Sequence, residues 1–203
     1  MKNLHIDQLL SAKTAKIPIG ENRTVFDAIL STGDPAVLAM ITAVEGPSYR
    51  PVGAAMALFP QTGSSVGSLS SGCIEGDLMH HAKACAQTGK GRTVRYGIGS
   101  PFMDIKLPCG GGLEVTLIPN PPTAELLALT SAIEARRPLK ITINADEGTF
   151  DKKGGVHICY EPDIHFSVFG SGAEASVFTN LATAAGYSAK LWSPDGADDA
   201  RLR

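Results

Sequence analysis

Two short stretches of this chain set a cysteine among glycines. Gly67-Ser68-Leu69-Ser70-Ser71-Gly72-Cys73-Ile74-Glu75 and Pro108-Cys109-Gly110-Gly111-Gly112-Leu113-Glu114 each place one thiol in nearly bare backbone, with an apolar residue and a glutamate close behind. Glycine has no side chain to hold the backbone off a ligand, and its free φ/ψ lets successive N–H groups turn toward an anion. A thiolate beside such a loop is a soft donor that can touch a metal or handle sulfur. The opposing reading is a pair of tight turns with small buried cysteines, since free cysteine packs as a small hydrophobe. Loops of matching chemistry predict one shared site, with both on the same side of a domain.

A third segment sharpens this. Glu45-Gly46-Pro47-Ser48-Tyr49-Arg50-Pro51-Val52-Gly53-Ala54-Ala55-Met56 supplies a glycine and serine, a basic residue and a Gly-Ala-x-Met run. With the Gly67 to Glu75 block and the Cys109 to Gly111 block in that order, the sequence resembles the XdhC/CoxI family, the accessory proteins of xanthine dehydrogenase and related molybdenum hydroxylases. The resemblance covers roughly residues 34 to 119 well, and a weaker second part from about 163 to the end.

The resemblance implies a protein that binds the molybdenum cofactor, as molybdopterin or its cytosine dinucleotide form, and protects it. It also implies help in acquiring the terminal sulfido ligand and delivery to an apo molybdenum hydroxylase, with a cysteine desulfurase-type sulfur donor as second partner. The cofactor-binding candidates are Ser48, Arg50, Gly53, Gly72, Cys73, Glu75, Cys109, Gly110, Gly111, Gly170 and Gly172. Cys73 and Cys109 are the candidates for the metal end, and Arg50 for phosphate or pterin oxygens. Glu75 and Glu114 would orient donors or loops. No residue is assigned to catalysis, and the expected role is that of a non-catalytic carrier rather than an enzyme.

Blander roles stand beside each of these. Arg50 could cap a turn or pair with Glu45, Glu75 could be a first-turn glutamate favoured by a helix dipole, and Glu114 could be structural at a strand start. Tyr49 and Met56 read as packing. Asp104 and Lys106 could flank the site through their loop position alone.

The pattern of apolar positions lays out the supports of these loops. Val37 to Val44 is a continuous apolar run between Pro35 and Gly46, which predicts a buried strand. Ala54 to Phe59 and Val66 to Leu69 predict two more, joined by the turn Pro60-Gln61-Thr62-Gly63. Ile74 to Gln87 predicts a helix ended by Gly89, with Ile74, Leu78, Ala82 and Cys85 on one face. That helix begins on the Gly72-Cys73 loop, so its orphan N–H groups and positive end favour a phosphate or a thiolate there. Cys85 reads as core. His80 and His81 are adjacent on the helix, about 100° apart, so they cannot chelate one metal from one face; they read as surface.

Before Val37, Met1 to about Gly20 reads as a frayed lead-in, followed by a helix around Thr24 to Leu30 that stops at Gly33. After the first loops, Thr93 to Ile98 and Glu114 to Ile118 read as strands. Ala124 to Arg136 reads as a helix, Leu139 to Asn144 and Val156 to Tyr160 as strands, and Asp146 to Gly155 as a polar hairpin-like connection.

At Asp163 the pattern changes. Ile164 to Phe169 runs as a strand into Gly170-Ser171-Gly172-Ala173-Glu174-Ala175, then a helix to Ala185 and a strand at Ala189 to Trp192. Strand, Gly-x-Gly turn and helix in that order predict a Rossmann-type half. NAD(P) is not expected to bind, because Ser193 occupies the position of the acidic ribose ligand and Asp195 follows two residues later. Two strands and one helix cannot cover their own apolar faces. A truncated sequence, strands from another chain or a degenerate half-domain would each account for that, and truncation is the expectation taken. A homodimer is the expectation if the half-sheet stands alone.

The fold class expected is therefore α/β, with a mixed α+β XdhC/CoxI-like domain over 1–162 and a partial Rossmann-like domain over 163–203. Length agrees: 203 residues make one large or two small domains at about 100 to 200 residues each. A net charge of −2 with no dense Lys/Arg run gives no pull toward nucleic acid or an anionic membrane. No run of about 18 apolar residues could span a bilayer, and the N-terminus lacks a signal pattern. The expectation is a cytoplasmic protein. Its cysteines, Cys73, Cys85, Cys109 and Cys159, form no Cys-x-x-Cys pair and should be free thiols. The competing classes are a nucleotide-dependent oxidoreductase using the Gly170 loop with Cys73 or Cys109, and a ligand-free docking module.

Overall fold

The computed structural model describes residues 15–18, 22–101, 107–151 and 154–193. Asp104, Lys106 and Asp195 lie outside the described residues, as does the lead-in up to residue 14. The chain divides into two compact units, Met1–Glu161 and Pro162–Arg203. Its fold class is mixed α/β.

In chain order the first unit runs β1 (Ala15–Pro18), α1 (Arg23–Thr32), β2 (Val37–Glu45), β3 (Ala55–Phe59), β4 (Ser64–Gly67) and α2 (Glu75–Thr88). It continues through β5 (Arg92–Gly97), β6 (Gly112–Pro119), α3 (Thr123–Glu134), β7 (Leu139–Asn144), β8 (Thr149–Phe150) and β9 (Val156–Glu161). The first six residues of β2 are all buried, so this strand is covered on both faces, which is why it reads as an unbroken apolar run. It sits at the centre of a five-stranded antiparallel sheet of order β4-β3-β2-β6-β5.

Helix α2 lies across this sheet, against β6, β2 and β3. It buries Leu78, Ala82 and Cys85, spaced by four and three residues as one helix face requires. Gly89 ends it in the left-handed conformation, its N–H donating to the Cys85 carbonyl at 2.8 Å. A second sheet of order β1-β9-β7-β8 contributes Ile141, Ile143, Ile158 and Tyr160 to the same core.

The lead-in expectation fails at one place. Ala15–Pro18 pairs in parallel with β9, Lys16 opposite Cys159. A four-residue strand has too few positions to show alternation, and its partner lies more than a hundred residues away in sequence, so no local signal marks it. The polar connection after β7 also contains the short strand β8, which pairs back on β7 at Ile143 and Asn144.

The second unit is β10 (His165–Phe169), α4 (Ala173–Ala184) and β11 (Ser188–Trp192), the two strands parallel and in register from His165 opposite Ser188 to Phe169 opposite Trp192. Gly172 caps α4 from an extended conformation, giving the strand, turn and helix order expected of Gly170-Ser171-Gly172. Ala175, Thr179 and Ala182 form the buried stripe of α4, and Phe166 meets Phe178 and Tyr187 edge to face. Phe169, Val177, Leu181 and Trp192 stay exposed.

Candidate functional site

Strand register decides where the three loops go. Glu45 at the end of β2 pairs with Gly112 at the start of β6, and Gly97 at the end of β5 pairs with the same Gly112. Met40 of β2 pairs with Ala55 at the start of β3, and Met56 pairs with Gly67 at the end of β4. The Glu45 to Ala54 loop, the loop leaving Gly67 and the loop arriving at Gly112 therefore all lie at one end of the sheet. At the sheet itself β4 and β6 are three strand spacings apart, about 14 Å. The chain closes part of that gap: Asp77, in the first turn of α2, accepts a 2.7 Å hydrogen bond from the hydroxyl of Tyr96 on β5. The segment carrying Cys73 is thus drawn from β4 back across the loop end of the sheet toward β5 and β6.

The first loop is wrapped around Glu75. Its Oε1 accepts from the Ser68 hydroxyl (2.9 Å), Leu69 N–H (3.0 Å) and Ser70 N–H (2.8 Å). Its Oε2 accepts from the Ser70 hydroxyl (2.5 Å), Gly72 N–H (2.9 Å) and Ile74 N–H (3.2 Å). Burial by itself would raise the carboxyl pKa, but the Ser70 hydroxyl and N–H, the Ser68 hydroxyl and the Leu69 N–H outweigh it and lower the pKa to about 2. The N–H cradle expected to receive a ligand's anion is filled by the protein's own carboxylate. Glu75 orients the loop, and the N–H groups of Leu69, Ser70, Gly72 and Ile74 are committed to it. Gly72 has φ of 105°, a conformation that L side chains rarely adopt, and Cys73 beside it is exposed.

The second loop is held by contact. A Cβ on Gly111 would overlap the Pro47 carbonyl oxygen, and Gly111 also accepts a 3.1 Å hydrogen bond from Ile98 N–H. Gly110 N–H donates to the Leu107 carbonyl at 2.9 Å. One strand pair away, Arg95 bonds Glu45, meets Glu114 Oε1 at 3.2 Å and donates to the Ile98 carbonyl at 2.8 Å. Glu114 and Glu45 are therefore joined through Arg95, tying together the ends of β2, β5 and β6. Cys109 and Gly110 are exposed on this braced edge.

The Ser48 to Gly53 loop is fixed from beneath. The buried Gly53 carbonyl accepts from the Tyr160 hydroxyl and from Asn22 Nδ2, each at 2.8 Å, while Asn22 Oδ1 accepts from Ala55 N–H at 3.0 Å. Gly53 N–H donates to Ile41 O at 2.7 Å, so Gly53 holds the loop down. The Ser48 hydroxyl donates to the Arg50 carbonyl at 2.7 Å. Arg50 is half-buried with its Nε enclosed. Tyr49, expected to pack, is 72% exposed, whereas Met56 is buried as expected.

Of the remaining expectations, Cys85 is core. His80 is exposed, and His81 is half-buried, with Nε2 3.3 Å from Asp77 Oδ2 and Nδ1 3.1 Å from Arg92 Nη1. Burial most of all lowers the His81 pKa. The Tyr96–Asp77 hydrogen bond that anchors α2 has no clear mark in the sequence. Its one local trace is the i,i+4 spacing of Asp77 and His81. Burial, then Asp77, pushes the Tyr96 hydroxyl pKa up and keeps it neutral. Among the described residues no group of three or more His, Cys, Asp or Glu is placed to hold a metal ion. Two cavities, one of about 560 Å³ beside His81, Arg92 and Arg95 and one of about 700 Å³ beside Gly91 and Gly148, are lined by neither Cys73 nor Cys109. The thiols stand on an open rim.

Fold and rim together define a mixed α/β domain that displays two thiols on glycine loops at one end of a sheet. Residues 29–97 match the profile of the XdhC and CoxI family, which the chain resembles over that segment. It is 31% identical over 180 residues to the molybdenum cofactor insertion chaperone PaoD of Escherichia coli strain K12, a match taking in 84% of this chain and 56% of PaoD. A probable xanthine dehydrogenase component of Bacillus subtilis strain 168 is 38% identical over 82 residues, 40% of this chain and 24% of that protein. The chain thus spans little more than half of PaoD and a smaller part of the other relative. In fold it resembles a crystal structure of a xanthine dehydrogenase from Bacillus halodurans, with a TM-score of 0.65 at 23% identity over 87% of this chain and 64% of that one.

Proposed function

We propose that this chain is an accessory protein of molybdenum hydroxylase maturation. It binds the molybdenum cofactor, assists its sulfuration and passes it to a xanthine dehydrogenase-type apoenzyme in the cytoplasm, with a cysteine desulfurase-type protein as sulfur source. The observation that carries this reading is the placing of three loops at one end of the sheet, with Cys73 and Cys109 exposed on two of them. The kinship with PaoD supports it.

The residues present fit one end of the cofactor. Exposed cysteine sulfur suits a soft metal or a sulfur atom in transit, and a metal that arrives with its own sulfur ligands needs few further donors from the protein. The cofactor, when bound, supplies that metal and its dithiolene. Cys73 and Cys109 hold or face it, and Arg50 meets phosphate or pterin oxygens. Ser48, Gly53, Glu75 and Gly111 keep the loops in shape, and Gly72 and Gly110 leave room beside the thiols. The cradle of the first loop does not fit the phosphate, because Glu75 fills it. In the second unit the Glu174 carboxylate lies against Gly172 at the start of α4, so Gly170 and Gly172 are not proposed as part of the cofactor site.

Protein purified from a molybdate-fed host should carry molybdenum and releasable pterin in equal amounts, both reduced in the Cys73→Ala/Cys109→Ala double variant. Wild-type protein that holds neither, even after incubation with molybdopterin, would remove the carrier reading, and tight NAD binding would replace it with the oxidoreductase alternative.

A further inference from the structure

On the Glu45 to Ala54 loop Tyr49 is the one aromatic side chain, and it points away from the core, 72% exposed. Its setting is rigid. Ser48 and Arg50 on either side are half-buried and joined by the 2.7 Å hydrogen bond from the Ser48 hydroxyl to the Arg50 carbonyl, so the turn between them projects Tyr49 outward. Further along, Ala54 N–H returns to the Pro51 carbonyl at 3.1 Å, and Gly53 is clamped by Asn22 and Tyr160. A floppy surface tyrosine needs no such scaffold, whereas a contact residue gains affinity when it is held in place beforehand.

Gly111 joins the loop that carries Tyr49 to the loop that carries the second thiol. It packs on the Pro47 carbonyl and accepts from Ile98 N–H. Tyr49 is two residues from Pro47, Cys109 is two residues from Gly111, and Ile98, 49% exposed, is bonded to the same glycine. The backbone segments that carry an exposed aromatic ring, an exposed apolar side chain and an exposed thiol thus meet at Gly111. Three exposed residues are far short of the roughly 800 Å² per partner of a stable protein interface and are nearer the scale of a small ligand. A conjugated ring stacks on an aromatic face whatever its detailed substituents.

Resting on the carrier reading above, we propose that Tyr49 is the stacking platform for the pterin ring of the bound cofactor, with Ile98 as its apolar border and Cys109 at the metal side. Molybdopterin released from a molybdoenzyme is titrated into wild type, Tyr49→Phe and Tyr49→Ala, following pterin fluorescence quenching and the circular dichroism induced in the pterin bands. Phenylalanine should keep the affinity within about threefold, and alanine should lose about tenfold or more together with the induced dichroism. Melting temperature should be the same in all three, since the side chain is exposed. Equal affinity and equal dichroism in wild type and Tyr49→Ala would overturn the platform while leaving the carrier intact. The same binding with failed transfer to an apo-hydroxylase would overturn it too and assign Tyr49 to a protein interface. A wild type that binds no molybdopterin would sink both readings, and that result is seen before any variant is compared.

Discussion

The loop from Gly67 to Glu75 is held by a carboxylate, and the loop from Cys109 to Gly112 by close backbone packing. In the first, six donors converge on Glu75, and Gly72 is needed for its backbone angle, since a Cβ there would meet nothing within 4 Å. In the second, Gly111 is needed for its missing volume against Pro47. Similar sequences therefore reach exposed thiols by different physics, and the two loops should fail in different ways when altered.

The largest effect is expected at Gly111→Ala. The obstructing atoms are backbone, of Pro47 and Glu45, and cannot rotate aside. The loop edge must part, at a cost of about 3 kcal/mol or more, measured by urea or thermal unfolding. A loss under about 1 kcal/mol would show that Gly111 and the Glu45 to Pro47 segment are not wedged together as described.

Next comes Glu75→Gln, which keeps the size but replaces one oxygen by an amide that must face N–H and hydroxyl donors. About 2 kcal/mol should be lost, the scale of charge-assisted hydrogen bonds partly open to water. The sign of the pH dependence follows from the lowered pKa. The folded carboxyl titrates near 2 and the unfolded one near 4.5, so its stabilisation is complete above about pH 4.5 and is lost as pH falls toward 2. The stability gap between wild type and Glu75→Gln should shrink over that window. A gap that stays constant down to pH 2 would mean the cradle holds the protonated acid equally well.

Much of this contrast is legible in the sequence. The apolar run at Val37, the stop at Gly89 and the Gly170 turn each carry a local signal, and all three fall where that signal puts them. What is not legible depends on partners far away in the chain. Whether a Gly-Cys loop offers its N–H groups to a ligand or spends them on its own Glu75 depends on how the loop curls, and the first-turn position of Glu75 is compatible with both. Tyr49 reads as packing because aromatic residues usually are buried. Its exposure follows from Ser48 closing the turn beneath it and from Gly53 being pinned by Asn22 and Tyr160, contacts that span 31 and 107 residues. Strand β1 belongs with these, since only β9 makes it a strand.

A smaller effect separates the loops at Gly72→Ala. Space is free around it, so the penalty is purely conformational, about 1 to 2 kcal/mol for holding an L residue at φ of 105°. It should appear as a uniform loss of stability with little change at the Cys109 loop, checked by the alkylation rate of Cys109 in the variant. A large change in that rate would show that the loops are mechanically coupled.

The smallest effect is expected from the thiols themselves. Cys73 and Cys109 are exposed, so neither fills core volume, and Cys73→Ala and Cys109→Ala should each shift stability by less than about 0.5 kcal/mol. Cys85 is 1% exposed on the buried face of α2, where burial pushes its thiol pKa up. It should resist iodoacetamide while Cys73 and Cys109 react, because the thiolate is the attacking form, and Cys85→Ala should cost about 1 kcal/mol or more through the lost packing. Mass spectrometry of the alkylated native protein reads the order of reaction, and thermal melts read the cost of each substitution. A Cys109→Ala variant as destabilised as Cys85→Ala would place the second thiol in the core and remove it from the rim. The comparison between the loops would then become one between a thiol on display and a thiol used for packing.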